Sequence, residues 1–506
     1  MTSYNFLKSF TSVVFLLLGI SLFSQETAKV KLIKADEWKH DKTIGEKIQR
    51  LIGDVVLKHD STYLYCDSAY LNDETNSFEG FGNVHIEVSD TLNIYSEWLN
   101  YNGNTRVAEL YKNVRLVDKK ATLYTQHLWY NRLTKIAWYL TGGKIIDTAN
   151  KLTSVKGYLY TERNEAYFSE NVKLVNEKYI MDSDSMMYNT TSKTSFFFAP
   201  TTIVSDSNLI YCENGWYDTE NEKSFFTSNP FIVTNEQKLE ADTLYYERSS
   251  DFGIAKGNVV MTDTINNMML EGNYGEFRRA AGYSFVTDSA LAIMADKMDS
   301  LFLHSDTLWM LFDSAQDLRS ILAYNHAKFF RRDLQGICDS LVYGFADSTI
   351  YLYNSPVMWS EANQLTADSI RIVMANNEVD SLALLNSSFI ISIDDSLDQT
   401  FNQLKGRILI GYFKDNEMVK IKIKGNAESI YFVRDEYKNL TGINKSVSSD
   451  MNIYLEDNTI SILTPITNVD AHMYPVGELS PVELKLKNFK WIEGRRPLKK
   501  EDVFIW

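Results

Sequence analysis

The sequence predicts an all-β protein built as a stacked repeat of about 29 residues, and three observations carry that reading. An acidic residue recurs at Asp184, Glu213, Asp242 and Glu271, each 29 residues after the last, and Tyr188, Tyr217 and Tyr246 follow four residues later. A turn that opens a strand recurs at Asn83, Asn113, Gly143, Asn171, Pro200, Asn229 and Asn258, with spacings of 28 to 30. After these turns apolar and polar residues alternate, as in Val84-His85-Ile86-Glu87-Val88, which is the mark of a half-buried strand. A fixed period of this kind means that no unit buries its apolar face alone and that neighbours cover one another.

The composition agrees. The chain has 506 residues, 44% hydrophobic and 13% aromatic, with 30 Tyr and only 7 Pro, enough for a large core and inclined to strands. A net charge of −15 argues against nucleic acid as a partner, since phosphate contacts need Lys and Arg. It also argues against a polybasic patch on anionic lipid.

In chain order, Lys8, the apolar run Val13 to Phe23 and Ser24-Gln25 read as a Sec signal peptide over residues 1–25, too short for a comfortable membrane helix. With no Cys near the cut, a lipoprotein anchor is not expected. Residues 26–48 form a charged lead-in. A first repeat series spans 49–310, with Tyr63-Leu64-Tyr65-Cys66-Asp67-Ser68 as its first acidic turn and Leu239 to Met261 as its clearest copy. The pattern degrades from Gly282 to Arg319. A second series follows over 311–470, with Cys338-Asp339 and Ala367-Asp368 again 29 apart. Residues 471–506 read as a tail, with Leu479 to Trp506 a helix-and-tail appendage and Arg495-Arg496 and Lys499-Lys500 solvated.

Cys66, Cys212 and Cys338 each precede an acid, at a place where other copies carry Ala241 or Ala367. The position therefore takes a small buried side chain, and Cys serves as one. Copies four or five rungs apart lie on the order of 20 Å from each other, too far for a disulfide.

Catalytic and metal-binding patterns do not emerge. The seven His are scattered, and neither a nucleophile elbow nor a phosphate-binding loop is present. No cofactor is expected. The acidic ladder reads as turn capping, each acid bonded to its own backbone and solvated; a cation row or a set of paired carboxylates is the alternative. What the apolar strand faces meet stays open: each other, in a filled core, or the walls of a trough that takes an extended apolar ligand.

The unit Leu239-Glu240-Ala241-Asp242-Thr243-Leu244-Tyr245-Tyr246, followed by Ala255-Lys256-Gly257-Asn258-Val259, resembles the repeat of the OstA/LptA family of periplasmic lipopolysaccharide-transport proteins. Gly82-Asn83-Val84 and Asn171-Val172 are weaker copies, and residues 50 to 435 look like a long OstA-like protein of Bacteroidetes type. The resemblance implies a repetitive antiparallel β-jellyroll, a folded sheet or β-taco, with an apolar groove for lipid A acyl chains. It implies groove residues Val84, Ile86, Val114, Leu116, Val172, Leu174, Leu244, Tyr246, Val259 and Met261. It further implies a non-enzymatic periplasmic protein that shields lipopolysaccharide and helps bridge inner and outer membranes during outer-membrane assembly, possible association with the outer membrane included. Its partners would be lipopolysaccharide, other transport subunits at both membranes, and further copies of itself stacked end to end. A structural or adhesive β-solenoid with a filled core is the rival expectation, and a polysaccharide-acting β-helix enzyme a second.

Overall fold

The structure is a computed structural model that describes residues 28–506 except 41–44, 119–120, 207, 235, 296–298, 316, 376–377, 396–399, 415–416 and 457–458. The expected signal peptide lies outside the described residues. Two compact units form, Met1–Thr148 and Ala149–Trp506. Residues 282–319, where the repeat fades in the sequence, lie inside the second.

In the first unit six long strands make an antiparallel meander: β1 (Ile48–His59), β2 (Thr62–Asn72), β3 (Ser77–Glu87), β4 (Leu92–Asn102), β5 (Val107–Asp118) and β6 (Ala121–Asn131). Each is 11 or 12 residues long and folds over at its middle. The fold falls at two consecutive left-handed residues, Gly53-Asp54, Gly82-Asn83 and Lys112-Asn113, where the register slips. Such a bulge inserts unpaired residues and bends the strand, so each strand contributes to two walls joined at a corner. Although the turns at Gly143, Pro200 and Asn229 do lead into separate strands, the recurrent Gly-Asn does not open a second strand, as the sequence suggested. It is a corner inside one continuous strand, and in the second unit Gly257-Asn258 likewise sits within Phe252–Asp263. Pro200 and Gly143 do not adopt this conformation; Gly142 is the left-handed residue beside Gly143.

The acids stand at the corners but bond differently from expectation. Asn83 Nδ2 donates to both carboxylate oxygens of Asp67 at 3.2 and 3.0 Å. Asn258 does the same to Asp242 at 3.1 Å, Asn229 to Glu213 at 3.2 Å and Asn354 to Asp339 at 3.0 Å. The partner is the corner amide of the next strand rather than the acid's own backbone. Self-bonding turns of the expected kind occur at the hairpin ends instead: Asn72, Asn102, Asn131, Asn189 and Asp218 each accept from backbone N–H groups two and three residues on.

Inward side chains line up in register. Leu57, Leu64, Ile86, Ile94, Leu116 and Leu123 face one another strand by strand across β1 to β6, and none is more than 2% exposed. Burial of one such side chain contributes roughly 1.5–3 kcal/mol.

The second unit repeats the plan. Its long strands β7 (Glu165–Asn176) and β8 (Tyr179–Asn189) span both walls, and shorter strands then alternate between walls along the chain. The unit widens in its last part, where β9 (Glu378–Asp395), β10 (Thr400–Lys414), β11 (Glu417–Arg434) and β12 (Leu440–Glu456) run 15 to 18 residues. Corner pairs there stand farther apart in sequence: Asn386-Ser387, Gly425-Asn426 and Thr467-Asn468. Cys66, Cys212 and Cys338 are all buried and unpaired, and burial pushes each thiol up to about 12, as expected of packing residues.

The tail departs from the expected appendage. Beyond Tyr474 it holds only two short 3-10 turns, Glu493–Arg495 and Lys500–Phe504, and it lies against the sheet. Arg496 is not solvated: its Nε donates to Gln335 Oε1 at 2.8 Å.

Candidate functional site

A cavity of about 610 Å³ opens in the second unit between the walls formed by Leu334–Cys338, Val357–Ser360, Asn363–Thr366 and the long strands β9 to β12. Strand alternation places its lining: every second residue of each wall points inward. Its interior carries Leu334, Met358, Leu365, Leu382, Leu404 and Ile421. Most of these belong to one continuous apolar core that runs from Met261 to Ile453. The volume falls within the roughly 300–1,000 Å³ of small-molecule sites.

The mouth is charged. Arg331, Asp333, Glu361, Asp394, Arg434 and Lys438 border it. Arg434 grips Asp394 through two nitrogens at 2.8 and 3.1 Å and donates to the Lys438 carbonyl at 2.8 Å. Thr400 adds a third bond to Asp394 at 3.0 Å. Two parallel charge-assisted bonds fix the guanidinium plane. Arg331 is similarly held by Asp333 at 2.6 and 3.1 Å. Burial, and then the Asp394 carboxylate, push the phenol of Tyr431 at this mouth above its ordinary range. An apolar chamber under a charged rim suits an amphipathic molecule with its chains inside and its polar end at the opening.

The sequence-predicted groove residues lie elsewhere in the interior. Val84, Ile86, Val114 and Leu116 are buried in the first unit, and Val172, Leu174, Leu244, Val259 and Met261 are buried in the second. Tyr246 is half-buried, and its hydroxyl donates to Asp251 at 3.0 Å. None of the ten lines the cavity, although Met261 belongs to the same apolar core. The cavity residues escaped sequence reasoning because they follow the region where the repeat is sharp. The alternation Lys420-Ile421-Lys422-Ile423-Lys424 holds one lining residue, Ile421, but it is no longer than Val84 to Val88 and marks only a half-buried strand. Among the described residues no three His, Cys, Asp or Glu gather closely enough for a metal, and no helix is long and apolar enough to cross a membrane.

Comparison with known proteins adds the following. The family model for OstA-like proteins matches residues 27–184. Among solved structures, LptH of Pseudomonas aeruginosa, described as the LptA-homologous periplasmic component of a lipopolysaccharide transport device, is similar at 11% identity. The alignment covers 29% of this chain and all of LptH, with a TM-score of 0.22. No curated protein matches. Residues 27–184 are thus similar to OstA-like proteins.

Proposed function

We propose that the chain is an exported, periplasmic lipopolysaccharide-binding transport protein whose folded sheet shields acyl chains from water. The observation that carries this reading is the cavity: a chamber inside a two-walled sheet whose lining joins Leu334, Met358, Leu365, Leu382, Leu404 and Ile421 with the charged Arg331, Asp333, Glu361, Asp394, Arg434 and Lys438. Each methylene moved into it contributes about 0.8 kcal/mol, so a few acyl chains suffice for firm binding without any covalent chemistry. The anionic headgroup stays at the rim, where it competes with Asp394 for Arg434 and with Asp333 for Arg331. Of the ten interior positions named from the sequence, Met261 belongs to the cavity's own apolar core, and the others line the interior of their own strands. No catalysis is assigned; the energy for transport comes from other proteins.

Partners in this reading are lipopolysaccharide and the transport subunits at either membrane. The terminal strands support docking by strand addition. Lys31–Lys34 and Glu37–His40 leave Ile33 and Trp38 exposed, and Thr459–Ile466 and Asp470–Tyr474 leave Ile462 and Met473 exposed. End-to-end self-association and a place beside the outer membrane belong to the same proposal. A second reading, a structural solenoid, is favoured by one observation: in the first unit the inward row from Leu57 to Leu123 is packed to 2% exposure or less.

The test is mass spectrometry of lipids that stay with the mature protein, residues 26–506, purified from its native envelope, alongside Leu365→Trp, which fills the cavity. Stoichiometric lipid A on the natural chain and its loss from a folded Leu365→Trp protein is the expected result. A lipid-free protein that also ignores added lipopolysaccharide overturns the reading in favour of the solenoid.

A further inference from the structure

The outer face of the cavity wall carries a second organised feature. Gln335, Trp359, Gln364, Ile391, Gln403 and Ile430 stand in one in-register row across six strands. The three glutamines are at most 2% exposed, a rare condition for a side chain with two donors and an acceptor. Each is satisfied and each bonds the C-terminal segment, although Gln335 Nε2 donates to the Arg331 and Arg332 carbonyls at 2.6 and 2.8 Å. Gln403 donates to the Leu484 carbonyl at 2.8 Å and accepts from the Leu486 N–H at 2.9 Å. Gln364 does the same with Lys490 and Ile492, both at 2.7 Å. Gln335 accepts from Arg496 Nε at 2.8 Å. Farther on, the buried Lys328 donates to the Ile505 carbonyl at 2.7 Å.

The spacing is regular. The contacts advance from Leu484 to Lys490 to Arg496, six residues for every second strand of the row. Between these anchors apolar residues fill in: Leu486 packs on Phe389, Ile391 and Ile430, and Ile492 packs on Ile337, Val357 and Trp359. Phe489 and Trp491 both pack on Phe401, with ring centroids 5.3 and 5.2 Å apart. A side-chain amide that bonds both an N–H and a C=O of a passing chain does what a neighbouring strand edge does, and it does so regardless of the passing residues' identity.

The opposite face of these same strands is the cavity lining. Leu334 precedes Gln335, Met358 precedes Trp359, and Leu365 follows Gln364. Ile390 precedes Ile391, Leu404 follows Gln403 and Tyr431 follows Ile430, and all six of these neighbours line the cavity. We infer that residues 484–506 brace the cavity wall from behind, and that Gln335, Gln364 and Gln403 are positioning residues that hold the wall at the curvature which keeps the chamber open. The inference rests on the cavity being the ligand site, but its structural half stands apart from that. Without the brace, six strands lose their outer cover, and wall and chamber relax together, because packed interiors shift as units.

The experiment uses the full-length chain carrying Gln364→Met and Gln403→Met, which preserve side-chain length and remove the paired bonds. Hydrogen exchange is followed in residues 484–506, in Leu334–Cys338, Asn363–Thr366 and β10, and affinity is measured for dansylundecanoic acid as an acyl probe. The expected result is faster exchange in the tail and in those strands together, with probe affinity down about tenfold and the unfolding midpoint of the first unit unchanged. A tail that stays protected shows that the glutamines do not hold it and overturns the proposal. So does a tail that is released while the wall strands and probe affinity stay as they were. If the natural chain never binds the probe, yet tail and wall still loosen together, the brace stands and the ligand reading fails. Should the double variant not fold, Gln364→Met alone carries the same measurement.

Discussion

The first unit and the end of the second are made from the same parts and finish differently. Both are folded sheets with left-handed corners and inward Leu, Ile and Val. In the first, strands of 11 or 12 residues bring Leu64, Ile86, Ile94 and Leu116 into a row with no side chain more than 2% exposed. In the second, strands of 15 to 18 residues, together with shorter ones of four or five, enclose about 610 Å³. At about 3.3 Å per residue, the longer strands add roughly 10 to 20 Å to the walls. Side chains reach a fixed distance from a wall, so longer walls leave space at the middle or the mouth that the same residues filled before. Strand length, more than composition, separates the filled interior from the hollow one.

The largest effect should come from placing a charge in each interior. Val114 is 1% exposed, and Val114→Asp should cost about 3–5 kcal/mol or unfold the first unit outright, as an unpaired buried charge does. Leu404→Asp, on the cavity wall, points into a chamber that water enters through the mouth, so it should cost clearly less and leave the second unit folded. Thermal unfolding of the two variants, followed by circular dichroism, decides the matter. Equal losses at both sites would remove the distinction between filled and hollow.

That contrast also measures how much the sequence disclosed. Period, strand alternation and the Asn at each corner were legible because a left-handed pair restricts residue choice sharply. From Gly282 to Arg319 the corner pair is Asp288-Ser289, with neither Gly nor Asn, and there the apparent repeat faded although the sheet runs on through short paired strands. The acids were found at the right corners with the wrong partner, since a cross-strand Asn–carboxylate bond between Asp67 and Asn83 looks the same in one dimension as a local turn. The cavity was not legible at all: it follows from the difference between strand lengths, which no single motif records. The tail misled for a related reason. Its Lys and Arg suggest solvent, while its anchors are backbone groups, which have no sequence signature.

Corner glycines sharpen the comparison at the next level of magnitude. Gly82 has φ 71°, and a Cβ there would come within 2.3 Å of Asp67 Oδ2; at Gly257, φ 73°, the contact with Asp242 Oδ2 would be 2.2 Å. At Gly425, φ 78°, in the wide part of the second unit, the nearest atom is Arg407 Cβ at 3.3 Å. All three carry the left-handed strain of about 1–2 kcal/mol on substitution by Ala. Only the first two add a clash with the clamping acid. Gly82→Ala should therefore destabilise by about 2–3 kcal/mol and Gly425→Ala by about 1 kcal/mol. Combining Gly82→Ala with Asp67→Ala should recover part of the loss, a coupling that a double-mutant cycle in urea measures. Strict additivity would show that the acid is not what reserves the corner for glycine.

The smallest effect is on pH dependence, and it again sets one unit against the other. His59 is buried, its Nε2–H donating to the Ala28 carbonyl at 2.7 Å while Nδ1 accepts from the Tyr101 hydroxyl at 2.6 Å. Arg132 Nη1 lies 3.1 Å from that same Nδ1, so a proton there meets a guanidinium. Burial first, and then Arg132 and Arg106, hold the imidazole below its ordinary value of 6.5, against the opposite pull of Ala28 and Asp60. His304 is also lowered by burial, with Asp306 and the Ala290 carbonyl pulling the other way and His326 adding to the depression. For both, the unfolded chain takes up the proton first. The stabilisation is complete above pH 6.5 and is lost as pH falls from 6.5 through the folded-state value. The first unit should lose stability to acid in that window, and His59→Gln, which keeps a donor for Ala28 but cannot titrate, should flatten the slope of unfolding free energy against pH there. The second unit should keep its own slope until His304 is replaced in the same way. A slope in the first unit that survives His59→Gln would show that the buried histidine is not what makes that unit sensitive to acid.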